Sequence, residues 1–346
     1  MQIGCTIKDV KLDRPLLWHG KRMRVLFVIP GEDSGSGMIF ARRQVASLRD
    51  AGAMVHQFFL GSRTSVGCVG TEWRRLKGEI KKFAPDIVHA QYGTITSLLS
   101  ALATRKPLVV TFQGSDLNPC PNISVLRSTV GRLFSQLSII SASRVICVSQ
   151  QLQQRLWWAK AKSVVIPHGV DLNDFTPMAR CEARERLRWT GGEGVVLFNG
   201  GGASRLKRMD LALQALDCAR NELPHLRMHV LQGDVPPGTV PFYLNAADAL
   251  LLTSDYEGSP NIVKEALACN LPVVAVDAGD VKERLVGVYP SSVVQRDPRT
   301  IGRTLIEVLQ TRRRSNGREH IQDLSLPRIA QRIIELYEEV VKTRPD

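Results

Sequence analysis

The chain has 346 residues, 44% hydrophobic and 23% charged, with a formal net charge of +13. That length allows two domains with proper cores, and no apolar run reaches the roughly 20 residues that cross a bilayer. Seven scattered cysteines (Cys5, Cys68, Cys120, Cys147, Cys181, Cys218 and Cys269), never spaced as Cys-x-x-Cys, argue against a disulfide framework or a zinc site and fit a reducing cytoplasm.

Residues 1–22 are charged throughout and lack an apolar core segment, so they read as an N-terminal extension rather than a secretory signal. Met23 to Pro30 is a buried strand, followed by Gly31-Glu-Asp-Ser-Gly35-Ser-Gly37, a helix to Ala51 and a second strand, Met54 to Leu60. A strand, a glycine loop and a helix bring bare N–H groups to an anion. The glycine spacing is not the dinucleotide fingerprint, and no acid ends the second strand, so hydride transfer is not expected. A basic helix over Lys77–Phe83, a strand over Pro85–Gln91, a helix over Thr94–Thr104 and a strand over Lys106–Phe112 come next. His89 lies inside a strand and reads as a satisfied core residue. An amphipathic helix is expected over Asn122–Ser141, a strand over Arg144–Ser149, and a helix from Gln150 to Trp158, where Trp157 and Trp158 suit core packing or a membrane interface equally.

The polar, proline-punctuated stretch Lys162–Pro177 marks the domain boundary. A strand over Gly194–Phe198 then runs into Asn199-Gly-Gly201-Gly-Ala-Ser-Arg205-Leu-Lys207-Arg208, where glycines allow close approach and cations meet diphosphate charge. Further on, Ala249–Leu252 and Val273–Val276 are strands around a helix that Ser259 is expected to cap, with Pro260 in its first turn. Glu257 and Glu265 flank the N–H groups of Asn261 and Ile262 at that helix start. Two carboxylates around a positive helix end suit a polyhydroxylated, anionic ligand. Arg328–Val341 closes the chain with apolar residues at helical spacing.

Several of these stretches resemble the family-4 retaining glycosyltransferases, also termed glycosyl transferases group 1. Glu257-Gly-Ser-Pro-Asn-Ile-Val-Lys-Glu265 resembles their Glu-x7-Glu signature, and Val164–Phe175 resembles the interdomain stretch Val-Ile-Pro-Asn-Gly-Val-Asp-x-x-x-Phe. Thr111-Phe-Gln113-Gly-Ser-Asp116 resembles Thr-Phe-His-Gly-x-Asp, with Gln113 standing where the family has histidine. An amide hydrogen-bonds a sugar but cannot gain charge near pH 7. The resemblance implies an α/β chain of GT-B type. A Rossmann-like acceptor-side domain at 23–170 faces a Rossmann-like donor domain at 171–325, and a last helix at 326–346 returns to the first domain. Glu257, Lys207 and Gln113 are implied as the catalytic group: Glu257 on the donor sugar, Lys207 on the diphosphate. Glu265 is implied to hold the ribose. The family arginine falls at Gly202, so Arg205 or Arg208 is expected as second cation. Gly35, Gly37, Asp116, Gly201, Gly258, Ser259, Asn261 and Ile262 complete the implied donor site.

The activity implied is retaining transfer of a sugar from a nucleotide-sugar donor to a saccharide or lipid-linked acceptor, in cell-surface polysaccharide or glycolipid synthesis. No cofactor or metal is implied, since Asp255-Tyr-Glu257 only loosely echoes a metal-binding Asp-x-Asp. A nucleotide-sugar epimerase or phosphorylase on the same scaffold is one alternative. A non-catalytic or nucleic-acid-binding protein is another, although no segment interleaves aromatic and basic residues, so no specific nucleic acid is expected. The cationic runs Trp73–Lys82 and Arg312–Arg318 read as solvated helix faces, or as docking sites for an anionic membrane surface on a cytoplasmic, peripheral protein.

Overall fold

The computed structural model describes residues 17–18, 21–33, 37–61, 66–119, 123–190, 192–201, 204–233 and 235–343. It consists of two parallel sheets with helices between successive strands, the α/β architecture expected, preceded by a short antiparallel pairing of Leu17–Trp18 with Lys21–Arg22 in the stretch read as an extension. The first sheet has β1 (Arg24–Pro30), β2 (Met54–Leu60), β3 (Ile87–Ala90), β4 (Leu108–Phe112), β5 (Arg144–Cys147) and β6 (Ser163–Val165), in the order β2-β1-β3-β4-β5-β6. Its helices are α1 (Ile39–Asp50), α2 (Val66–Phe83), α3 (Thr94–Ala103), α4 (Val125–Ser141) and α5 (Gln150–Gln154). Helices cover both faces, which is why Val25 to Ile29 form an unbroken, fully buried apolar run.

The second sheet has β7 (Val195–Asn199), β8 (Arg227–Leu231), β9 (Ala249–Leu252), β10 (Val273–Val276) and β11 (Ser292–Val294), in the order β8-β7-β9-β10-β11. Around it lie α6 (Arg180–Arg186), α7 (Ser204–Lys207), α8 (Met209–Arg220), α9 (Val240–Ala246), α10 (Asn261–Ala268), α11 (Val281–Arg284) and α12 (Pro298–Gln310). The chain then returns: α13 (Leu326–Lys342) packs on α1 of the first sheet. Val170 and Leu326 are stapled where the two crossings pass, through Val170 N to Leu324 O (2.9 Å) and Leu326 N to Val170 O (3.1 Å). Tyr337 of α13 is fully buried with its hydroxyl on His89 Nδ1, while Thr111 Oγ1 meets His89 Nε2 at 2.6 Å. Burial pushes the His89 pKa down to about 3, so this imidazole is a neutral core group.

Four local expectations change. The second helix starts at Val66, so Lys77–Phe83 is only its last part. Helix α4 starts at Val125, where Ser124 Oγ accepts from Arg127 N, and Asn122 lies outside the described residues. Helix α5 stops at Gln154 because Gln136 of α4 takes over the next backbone groups: its Nε2 donates to Arg155 O (3.0 Å) and its Oε1 accepts from Trp157 N (3.1 Å). The Trp157–Trp158 pair therefore sits in an exposed loop, not in a core. The basic run at 312–318 is not simply a solvated face either. Arg314 donates to the carbonyls of Ala247, Leu244 and Cys269, and Arg318 to those of Phe175, Ala268 and Leu172, so both tie elements of the second domain together.

Candidate active site

The carboxyl ends of β4, β7 and β9 point into a cleft between the two sheets, the place where open α/β sheets bind ligands. A cavity of about 390 Å³ there is lined by Phe40 and Arg43 of α1, Gln113 after β4 and His168 of the interdomain stretch. The second domain contributes Asn199, Lys207, Glu257 to Ile262, and Glu265.

Glu257 leaves β9 on a loop and is largely buried. Its Oε1 accepts from Lys207 Nζ at 2.6 Å and from Ser254 Oγ at 2.7 Å. Glu265 lies on α10, four residues past the helix start, and its Oε1 accepts from Arg43 Nη1 of the first domain at 3.1 Å. Burial raises the Glu265 pKa, and the Arg43 guanidinium opposes that by favouring the carboxylate. Between the two glutamates, α10 starts at Asn261, and no side chain caps it. Initial helix N–H groups have no intrahelical partner, so those of Asn261 and Ile262, both in the cavity wall, are open to an anion. Asn261 Oδ1 is a buried acceptor without a donor among the described residues.

Ser259 therefore does not cap the helix as the sequence suggested. Its hydroxyl donates instead to Asp280 Oδ2 (2.8 Å) and accepts from Lys264 Nζ (2.9 Å). A buried Lys264 must find acceptors, and the serine satisfies it together with His168 O at 2.9 Å. Burial pushes the Lys264 pKa down to about 8, with Asp280 and Glu265 pulling the other way. The lysine thus fastens α10 to the interdomain stretch and sets where His168 sits.

Gln113 Nε2 donates to Gln91 Oε1 at 3.2 Å, and Gln113 Oε1 meets His168 Nε2. Burial and the neighbouring Lys264 charge hold the His168 pKa well below its ordinary value, so the ring is neutral. It carries its proton on Nε2 in the arrangement that donates to Gln113. His168 also lies against Phe40, with ring centroids 4.3 Å apart. An imidazole from position 168 thus lies in hydrogen-bonding contact with Gln113, the residue that stands where the resembled family has histidine.

Of the three cations expected around the second glycine loop, Lys207 lines the cavity. Arg208 is held outside it, with Nε 2.9 Å from Asp210 Oδ1 and Nη1 3.3 Å from Asp255 Oδ1. Arg205 is exposed on α7. Gly201 N is committed to Leu231 O at 3.1 Å. Asp116 is fully buried beneath the cavity floor. Its carboxylate accepts from Gly93 N (2.9 Å), Gln113 N (2.9 Å) and Gly114 N (2.8 Å), which shapes the turn carrying Gln113. Gly37 is exposed just before α1, away from the cavity wall, and Gly35 lies outside the described residues. Arg43, His168, Asn199 and Lys264 were not singled out from sequence. Only the histidine left a trace there, as a departure from the asparagine of the resembled interdomain stretch.

Two family models match the chain: Glycosyltransferase Family 4 over residues 34–174 and Glycosyl transferases group 1 over residues 197–311. A Bacillus subtilis protein described as a teichuronic acid biosynthesis glycosyltransferase, TuaC, is 30% identical over 220 residues, 57% of this chain and 54% of that protein. The matched region thus spans about half the length of that relative. Sucrose-phosphate synthase from Thermosynechococcus elongatus superposes with a TM-score of 0.78 at 17% identity, covering 93% of this chain and 100% of the other. Anabaena Alr3699/HepE, solved in complex with UDP and glucose, gives a TM-score of 0.71 at 18% identity, covering 92% and 100%. With a glycosyltransferase model on each half and the two-sheet architecture of these solved proteins, the chain belongs to the family-4, group-1 glycosyltransferases and has the GT-B fold.

Proposed function

We propose that the chain transfers a sugar from a nucleotide-sugar donor to an acceptor hydroxyl, with retention and without a metal ion, in the assembly of a polysaccharide or a lipid-linked saccharide. The observation that carries this reading is the convergence of Lys207, Glu257, Glu265 and the start of α10 on one interdomain cavity. Glu265 accepts the ribose hydroxyl protons, a role that suits a buried carboxyl group whose charged form the Arg43 guanidinium favours against the cost of burial. The diphosphate lies over the open N–H groups of Asn261 and Ile262 and beside Lys207. Glu257, oriented by Lys207 and Ser254, accepts from the sugar hydroxyls. As the glycosidic bond breaks, negative charge grows on the leaving diphosphate, and preorganised donors stabilise that charge more than they stabilise the ground state. Gln113 and His168 supply neutral hydrogen bonds on the acceptor side of the sugar, so no step requires a protonated imidazole. The TuaC relative, described as acting in teichuronic acid biosynthesis, and HepE, solved with UDP and glucose, support a polysaccharide product and a UDP-type donor.

Titrating UDP, GDP and ADP by calorimetry tests the donor site. One of them binds the wild type, and Glu265→Ala weakens it by about 10- to 100-fold, since hydrogen bonds to a charged group contribute about 1.5–3 kcal/mol. Equal affinity in the variant would remove Glu265 from the ribose site.

A further inference from the structure

Helix α4 is amphipathic in the wrong sense for a helix on a water-exposed surface. Its buried positions include Ser128, Ser135, Gln136 and Ser138, with Ile139 the one large apolar residue among them. The inner hydroxyls bond locally: Ser135 Oγ donates to Asp116 O (2.8 Å) and Ser138 Oγ to Ser135 O (2.7 Å). The outer face carries Leu126, Val130, Leu133, Leu137 and Ile140, all exposed. Steps of four and three residues align them as one stripe along the helix. At 1.5 Å per residue the stripe is about 21 Å long. Val125 (83% exposed) and Leu126 (75%) crown its start, and Leu102 (62%) on the adjoining α3 extends the apolar surface.

Two further features lie beside this helix. The loop tied to α4 by Gln136 presents Trp157 (60% exposed) and Trp158 (38%), edge to face with centroids 5.7 Å apart. Tryptophan, apolar in body with a polar N–H, concentrates at membrane–water boundaries. The surrounding charge is also one-sided. Between Asp86 and Asp171 the chain has eight Lys or Arg residues and a single acid, Asp116, which is buried. Arg127 is exposed on α4 itself, and Lys162 Nζ lies at its end, 3.1 Å from Ala142 O. Arg105, Lys106, Ile140 and Lys162 share one surface concavity. The basic run of α2 is partly spent locally, with Arg75 on Glu72 and Lys77 Nζ 4.8 Å over the Trp73 ring. No helix among the described residues is long and apolar enough to cross a membrane.

We propose that the outer stripe of α4, with Trp157 and Trp158, docks the first domain on an anionic lipid bilayer, the helix lying in the plane of the interface. An apolar stripe edged by cations is the form that such helices take, since apolar burial and attraction to anionic headgroups add. A second copy of the chain is the other surface that could cover the stripe, but it would press two sets of cations together, whereas anionic lipid neutralises them.

Cosedimentation of the full chain with vesicles tests this directly. Vesicles with one quarter phosphatidylglycerol should bind at least 10-fold better than pure phosphatidylcholine, with the difference shrinking at high salt, and tryptophan emission should shift to the blue. The triple variant Leu126→Ser/Leu133→Ser/Leu137→Ser should lose at least 10-fold in partitioning while nucleotide binding stays intact. An Arg127→Glu/Lys162→Glu variant should lose the preference for anionic vesicles. Failure of the wild type to bind either vesicle, or undiminished binding by the triple variant, overturns the proposal. So does a wild-type dimer that ignores vesicles and becomes monomeric in the triple variant.

Discussion

Replacing Gly258 by alanine lowers the transfer rate by about 100-fold while nucleotide affinity stays within a few-fold of wild type. A Cβ on residue 258 would lie 1.8 Å from Gln113 O, 2.7 Å from its carbonyl carbon and 2.9 Å from Val148 Cγ2. The first two are backbone atoms of the opposite domain, so no side chain can swing aside. Gly258 is not among the residues with positive φ, so alanine suits its local backbone, and the whole cost falls on the approach of the two domains. The same seam explains Gly114, whose Cβ would sit 3.0 Å from Gly258 N, while within the second domain a Cβ on Gly279 would lie 2.6 Å from Gly258 O. Relieving the clash means separating Gln113 from Glu257, and displacing reacting groups by about 1 Å costs about 100-fold in rate. Steady-state kinetics beside nucleotide titration checks the prediction. A variant with wild-type kcat would show that this close approach is not needed for turnover.

Replacing Lys207 by alanine lowers kcat/KM by about 100- to 1,000-fold, the loss of about 2.7–4 kcal/mol typical when a preorganised partner of developing charge is deleted. Two causes must be separated, because Lys207 Nζ also holds Glu257 at 2.6 Å. Removing it deprives a largely buried carboxylate of its counter-charge, which is itself costly. The nucleotide affinity of the double variant Lys207→Ala/Glu257→Gln distinguishes them, because Glu257 is placed on the sugar and not on the nucleotide. If the defect is the orphaned carboxylate, the amide restores nucleotide affinity; if it is the missing cation at the diphosphate, the double variant binds nucleotide as poorly as the single one. The account predicts the second outcome. The loop itself should survive, since Thr253 Oγ1 donates to the Lys207 backbone carbonyl at 2.8 Å whatever the side chain.

The alternation of strand and helix was legible because parallel strands covered on both faces leave short, uninterrupted apolar runs such as Val25–Ile29 and Val273–Val276. The positions of Glu257, Glu265 and Lys207 in the cavity followed from a local unit, strand, loop and helix, whose spacing is written in neighbouring residues. Long-range contacts were not legible. Arg43 and Glu265 are 222 positions apart, and nothing near either announces the other. His168 could be seen as an unusual residue and Gln113 as another, but that they meet depends on how two domains close. Ser259 followed the local capping rule, and tertiary structure overrode it because buried Lys264 needs an acceptor more than a helix start that opens on the cavity needs a cap. The periodicity of α4 revealed an apolar stripe but not its direction. The ordinary assumption turns such a stripe inward, whereas here serines face the core.

The most direct test of the central claim is a structure of the chain with an intact nucleotide sugar bound. The account predicts the ribose on Glu265, the diphosphate against Lys207 and the amides of Asn261 and Ile262, and the sugar between Glu257 and Gln113. A nucleotide sugar bound outside this cleft, with neither Lys207 nor Glu265 in contact with it, would contradict it.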